Sequence, residues 1–283
     1  MAKTRGKLFV VATPIGNRKD ISARACEVLA AVTCVAAEDT RHTATFLHDL
    51  GIAVPLISLH EHNEEGRTRE LLERLERGDD IALVSDAGTP LISDPGFRLV
   101  RAAHAAGAAV CAIPGPSAVI AALSIAGIAT DRFIFEGFLP ERARARLDRL
   151  ARLANETRTL VIYEAPHRLN ETLADMVRQL GGARQAAIAR EMTKMHETLY
   201  RDSLAALADA ATRDADMARG EIVIVVAGAA EQPQSADETP VALLRILIAE
   251  LPLKQAVDLT VKATGAQRKA LYQKALAIKA ENS

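Results

Sequence analysis

The sequence predicts an α/β fold, arranged as two α/β domains with a small C-terminal helical appendage. Three observations predict it. Short β-branched runs alternate with helix-patterned segments from the start of the chain, the same alternation resumes after residue 127, and three helical patterns follow a polar, Pro-containing stretch near the end.

In the first half, strands are expected at 8–12, 34–37, 56–59, 81–85 and 110–113. Asp20 suits the cap of a helix running to about Ala31, Asn63 that of a helix ending near Gly78, and Pro95 the first turn of a helix stopping at Gly107. Residues 1–126 therefore read as a mainly parallel sheet flanked by helices. The second half, 127–229, offers strands at 133–136, 159–163, 186–190, 198–201 and 222–226 but only two clear helices, at 141–155 and 166–180. Two helices cannot supply the crossovers of an all-parallel sheet, so antiparallel hairpins are expected. Residues 230–239 lack periodicity and read as a linker. The patterns in 240–283 break at Pro252 and Gly265, which suggests a helix-turn-helix with Leu271 and Leu276 in its core.

A chain of 283 residues, 49% of them hydrophobic, can bury two sizeable cores without disulfides. Cys26, Cys34 and Cys111 are odd in number and lack metal-type spacing, so buried reduced thiols are expected. The longest apolar runs fall far short of the ~20 residues that span a bilayer, and no signal-type segment opens the chain. No membrane association and a cytoplasmic location are the expectation. The net charge of −1 conceals a segregation: residues 240–283 hold seven basic against three acidic residues, a net of +4, which leaves −5 for the rest.

Three loops that follow strands are candidates for ligand contact. Thr13-Pro14-Ile15-Gly16-Asn17 lies at the carboxyl edge of the first sheet, where open α/β folds bind ligands. Ser85-Asp86-Ala87-Gly88-Thr89-Pro90 runs on to Gly96 and is rich in small and turn residues that let a ligand reach backbone groups. Ile113-Pro114-Gly115-Pro116-Ser117-Ala118 opens a helix whose free amides could meet a polar group. Neither a G-x-G-x-x-G fingerprint nor a Gly-Lys-Ser/Thr phosphate cradle is present, which disfavours dinucleotide binding and NTP hydrolysis.

These loops, with Ala37-Glu38-Asp39-Thr40-Arg41, Phe135-Glu136-Gly137-Phe138-Leu139-Pro140, Tyr163-Glu164-Ala165-Pro166-His167-Arg168 and Arg190-Glu191-Met192-Thr193-Lys194, resemble the tetrapyrrole methylase family. The resemblance covers nearly the whole chain and is strongest to the branch that 2′-O-methylates a cytidine of 16S ribosomal RNA. It implies a two-domain tetrapyrrole-methylase-like fold, S-adenosylmethionine in a cleft between the domains, ribosomal RNA of the small subunit as partner, and a homodimer. It also implies cofactor contacts at Pro14, Gly16 and Asn17, at Asp86, Ala87, Gly88, Thr89 and Pro90, at Ser117 and Ala118, and at Tyr163, Glu164, Ala165 and Ala189. Gly88-Thr89-Pro90 stands where relatives carry Gly-Asp-Pro, so an acidic contact expected at Thr89 must be absent or come from Asp86.

Methylating a ribose hydroxyl requires a proton to leave as the methyl arrives, and a His or carboxylate within reach would assist. Asp39 and His42, after the second strand, are the candidates, with Glu191 next. A metal site from Asp39, His42, His60 and His62 lacks the spacing of a His-Glu-x-x-His helix, and no metal is expected. Arg142, Arg146, Arg149 and Arg152 recur at helical spacing and either track RNA phosphates or form a solvated face paired with Glu141 and Asp148. Two rival readings remain. A methyltransferase for a tetrapyrrole precursor would need neither the basic tail nor the Arg row, and a non-catalytic RNA-binding module would not need three intact loops.

Overall fold

The computed structural model describes residues 5–230 and 238–281. Strands β1 (Lys7–Val11), β2 (Cys34–Ala37), β3 (Leu56–Ser58), β4 (Ile81–Val84) and β5 (Ala109–Ile113) form an all-parallel sheet in the order β3-β2-β4-β1-β5. Every residue of β2 and β4 is buried, as expected of strands covered on both faces. Leu29 of α1 (Ala23–Ala31) and Leu47 of α2 (Thr40–Asp49) pack on one face. Leu71 and Leu75 of α3 (Glu64–Arg77) and Leu99 of α4 (Phe97–Ala105) pack on the other. The chain leaves β1 toward β2 on one side and β4 toward β5 on the opposite side, so a crevice opens where β1 and β4 end.

The second sheet holds β6 (Phe133–Phe138), β7 (Thr159–Glu164), β8 (Gln185–Arg190), β9 (Thr198–Ser203) and β10 (Ile222–Val226) in the order β6-β7-β10-β8-β9. Only β6 and β7 are parallel; the other pairs are antiparallel, and β8–β9 is a hairpin of the expected kind. Leu150 of α6 (Ala143–Arg152), Leu173 of α7 (Leu169–Leu180) and Leu207 of α8 (Leu204–Arg213) fill one face. Helix α5 (Ala118–Ala126) follows β5 of the first sheet, yet its Val119, Ala122 and Leu123 pack under Val161, Ala187 and Val223 of the second. That helix ties the halves together, and Met1–Ala229 form one compact unit.

Ala230–Ser283 form the other unit. Helices α9 (Glu238–Glu250), α10 (Leu253–Thr264) and α11 (Arg268–Glu281) enclose Leu244, Val257, Leu271 and Ile278, and Gly265, at φ +70°, ends α10. Most of the expected linker, 231–237, lies outside the described residues; Glu238 already opens α9.

Several local expectations need correction. Asp20 closes a short 3-10 turn, and α1 is capped by Ser22, whose hydroxyl accepts the Ala25 amide at 3.1 Å. Asn63 precedes α3, but its side-chain oxygen accepts the His60 amide instead of a helix amide. Pro95 lies outside α4: Gly96, at φ +119°, precedes the helix, and the amides of Gly96 and Arg98 both donate to Glu64 Oε1 of α3, at 3.1 and 2.9 Å. A carboxylate from another helix thus serves as the cap. The two helices expected in the second half are joined by α8, a ten-residue, Ala-rich helix capped by Ser203. Cys34 is buried, whereas Cys26 and Cys111 are half-buried. Leu276 is 51% exposed because it falls on the opposite side of α11 from Leu271, Ala275 and Ile278.

The arginine row is also broken up. Arg146 is 2% exposed: its Nε donates to Asp175 Oδ2 at 2.8 Å and its Nη2 to Glu171 Oε2 at 3.2 Å, both on α7. Arg149 is held by Glu136 at 2.7 Å. Burial works against the Arg146 charge, but the two carboxylates outweigh it and raise its pKa. Its helix neighbours at 142 and 152 cannot form a continuous cationic track with a residue that points into the protein.

Candidate cofactor cleft and its neighbour cavity

The three loops are joined by hydrogen bonds. Thr13 and Gly88 exchange two backbone bonds, of 2.8 and 3.1 Å, and the Thr13 hydroxyl donates to the Ser85 carbonyl at 3.2 Å. The Thr89 hydroxyl donates to the Pro116 carbonyl at 2.9 Å, which joins the second loop to the third. Gly88 sits at φ +82°, and a Cβ there would stand 3.2 Å from Ile15 Cγ2. The first loop also reaches the second half: the Asn17 amide donates to Thr193 Oγ1 at 3.0 Å, and a Cβ on Gly16 would collide with Lys194. Thr89, in the place of an acid, is therefore spent on holding the loops together.

Between the halves lies a cleft of about 450 Å³. Asp86, Ala87, Gly88 and Thr89 line it from one half with Ser117 and Ala118, and Tyr163, Glu164 and Ala165 line it from the other. Of the remaining expected contacts, Pro14 and Gly16 border a neighbouring cavity, while Asn17, Pro90 and Ala189 line neither. Ala189 is buried one layer below, against Val119 and Val223. Glu164 brings its backbone to the cleft. Its carboxylate is consumed inside the fold, accepting the Ala165 amide and the Thr172 hydroxyl beside Arg168. Tyr163 packs edge-on against Phe135 and Phe138, at 4.9 and 5.6 Å between ring centres. Burial and the nearby Asp94 charge push its hydroxyl up to about 12, so it stays protonated.

Part of the lining carries no mark in the sequence pattern. Asp94, Phe138 and Met192 stand within the motifs quoted above and Glu38 within the charged cluster after β2, but nothing in their spacing singles them out as cleft residues. Burial, then the Asp86 charge, raises the Glu38 pKa. Burial, opposed by a Ser85 hydrogen bond and aided by Glu38 and Asp86, pushes Asp94 up to about 6. Leu91 and Ser93, at φ +74° and +71°, flank Ile92 and turn the loop so that Ser93 and Asp94 face the cleft. Left-handed backbone at Leu91 and Ser93 follows from loop closure and not from residue type, so no sequence signal announces it.

The candidate bases are positioned unequally. Asp39 Oδ1 accepts the Arg41 and His42 amides at 2.8 and 3.4 Å, and its other oxygen pairs with Arg41 Nη2 at 2.9 Å. These bonds hold Asp39 down to about 2. Glu191 Oε1 accepts Lys194 Nζ and the Glu221 amide, both at 2.9 Å, and the lysine first among these contacts lowers its pKa. Neither lines the cleft or the neighbouring cavity, whereas His42, in the first turn of α2, borders the latter. No three His, Cys, Asp or Glu side chains among the described residues converge as a metal site.

Comparisons with known proteins identify the family. The family model of the Tetrapyrrole (Corrin/Porphyrin) Methylases matches residues 7–208, and that of the RsmI C-terminal HTH domain matches 234–279. A Pseudomonas aeruginosa protein named ribosomal RNA small subunit methyltransferase I is 53% identical over 96% of this chain and 97% of its own. A Haemophilus influenzae protein of the same name is 46% identical over 98% of this chain and 99% of its own. A solved uroporphyrin-III-C-methyltransferase from Thermus thermophilus shares the fold, with a TM-score of 0.57 at 18% identity over 79% of this chain and 94% of that one. On a model spanning most of the first unit and on relatives aligned from end to end, the chain belongs to the tetrapyrrole methylase family.

Proposed function

We propose that this enzyme transfers a methyl group from S-adenosylmethionine to the ribose 2′-oxygen of a cytidine in 16S ribosomal RNA. The observation that carries the reading is the cleft built from three interlocked loops, in a chain whose relatives, named for ribosomal RNA methylation, match it along its whole length, helical tail included. The cleft suits such a cofactor. Ile15, Ile92, Phe138 and Met192 offer apolar walls for a purine, and the crowded carboxyls of Glu38 and Asp94, both shifted toward the neutral form, would be relieved by a cationic ligand. When bound, the cofactor supplies an electrophilic methyl group carried on a sulfonium.

The residues of this chain bind and orient. Asp86 to Thr89, Ser117, Ala118 and Tyr163 to Ala165 would hold the cofactor, and holding both reactants in line accounts for much of the acceleration in such transfers. Lys254, Lys262 and Lys269, exposed on the tail helices, would meet phosphates. A ribosomal substrate, most simply an assembled small subunit, implies a cytoplasmic enzyme, and no helix among the described residues is long and apolar enough to cross a membrane. A homodimer belongs to the same reading: Ile120 and Ile125 are exposed on α5, beside Leu199 of the edge strand β9, and a second copy would cover them.

The test is to incubate the protein with labelled cofactor and small subunits lacking the modification, then map the label. A methyl on one cytidine ribose is expected. Label on a base, or transfer to a tetrapyrrole precursor but not to RNA, would overturn the reading.

A further inference from the structure

A second cavity, of about 490 Å³, adjoins the cleft and is bordered by Pro14, Arg18, His42, Phe46 and Lys194. It shares Ile15, Asp86, Ala87 and Glu221 with the cleft, so the two spaces meet at these four residues. Direct transfer requires reacting atoms about 3–3.5 Å apart. With the cofactor in the cleft, an acceptor oxygen held in the second cavity must therefore come to this junction. Ile15 and Ala87 carry no proton acceptor. Glu221 has a side chain 69% exposed and pairs with Lys194 Nζ at 3.2 Å. Asp86 remains, and its Oδ1 is fixed by the Asp39 amide at 3.0 Å, which sets the orientation of the carboxylate.

We propose that the second cavity receives the acceptor nucleotide of an unpaired RNA segment and that Asp86, expected from the sequence only as a cofactor contact, takes the proton from its ribose 2′-hydroxyl. The inference rests on the methyltransferase reading above. The cavity has the volume of a small-molecule site. Phe46 offers a ring to a base, and bases swung out of their stack are commonly read on aromatic side chains. Arg18 is held by Asp49, and Lys194 by Glu191 and Glu221, so both cations are already positioned at the border for a flanking phosphate. In the step, the O–H bond breaks and its proton passes to the Asp86 carboxylate and then to water. The oxygen keeps the electron pair and forms the new O–C bond, while the pair of the breaking S–C bond stays on sulfur.

Asp86→Asn keeps an Oδ1 acceptor for the Asp39 amide and removes the basic oxygen. With cofactor at saturating concentration, single-turnover methylation of small subunits should fall about 10²–10⁴-fold, with melting temperature and RNA affinity nearly unchanged. Independently of activity, a photocrosslinker in place of the exposed Thr45, which borders the second cavity, should label the same nucleotide that the parent protein methylates. An Asp86→Asn variant methylating at the parental rate would overturn the role of Asp86, and crosslinks to distant nucleotides would overturn the role of the cavity. If the parent protein places no methyl on RNA ribose, the function itself is wrong, an outcome distinct from both.

Discussion

The backbones of Thr13 and Gly88, one after β1 and the other after β4, exchange two hydrogen bonds across the mouth of the first sheet. This pairing holds Gly88 at φ +82° with Ile15 Cγ2 only 3.2 Å from where a Cβ would lie. Gly88→Val should add about 1–2 kcal/mol of left-handed strain and push Ile15 into the cleft. Calorimetry should show cofactor affinity falling about tenfold or more, with circular dichroism unchanged. Unaltered affinity would remove this loop from the cofactor site.

Arg146 is a structural residue by its contacts, and the effect of removing it should appear in stability. Arg146→Ala leaves Asp175 buried without its partner, a loss of about 3–5 kcal/mol for a buried pair broken on one side. Urea unfolding should show a lower midpoint at unchanged slope, while the folded variant keeps its RNA affinity. Loss of RNA affinity at parental stability would restore the phosphate-tracking role.

Asp94 should make both stability and cofactor binding depend on pH. Its folded pKa of about 6 lies above the usual carboxyl value of about 4. The folded state therefore holds that proton more tightly, and the stabilisation is complete below about pH 4 and lost as pH rises through about 6. Asp94→Asn, neutral throughout, should flatten this fall and raise the melting temperature at pH 7. A cation in the cleft favours ionised Asp94, so affinity for S-adenosylmethionine should rise from pH 5 to 7. S-adenosylhomocysteine, which lacks the sulfonium, should show a weaker rise. Parallel melting and binding curves for parent and variant would refute the assignment.

Removing residues 240–283 deletes a segment of net charge +4 whose three helices enclose a core of their own. Cofactor affinity should be nearly unchanged. The plot of log RNA affinity against log salt should flatten by about 0.7 for each phosphate of single-stranded RNA that the shortened protein no longer neutralises. Equal slopes for the full-length and shortened proteins would exclude the tail from RNA electrostatics.

The sequence alone determined the α/β class, both sets of strands and the three loops that build the cleft. These are local signals: short apolar runs of three to six residues, small and turn residues directly after them, and helix breaks at Pro252 and Gly265. The tertiary structure decided what each charge does. Arg146 read as a surface cation until α7 brought Asp175 and Glu171 against it, and α4 takes its cap from Glu64, more than thirty residues away. Asp39 and Glu38 are adjacent in sequence, yet the first is spent on the start of α2 while the second faces the cleft. Asp86 gains its proposed role only because two cavities meet at its side chain. Backbone conformation follows largely from near neighbours along the chain, whereas burial and hydrogen-bond partners come from segments far apart in sequence, and these set the energy of a charge.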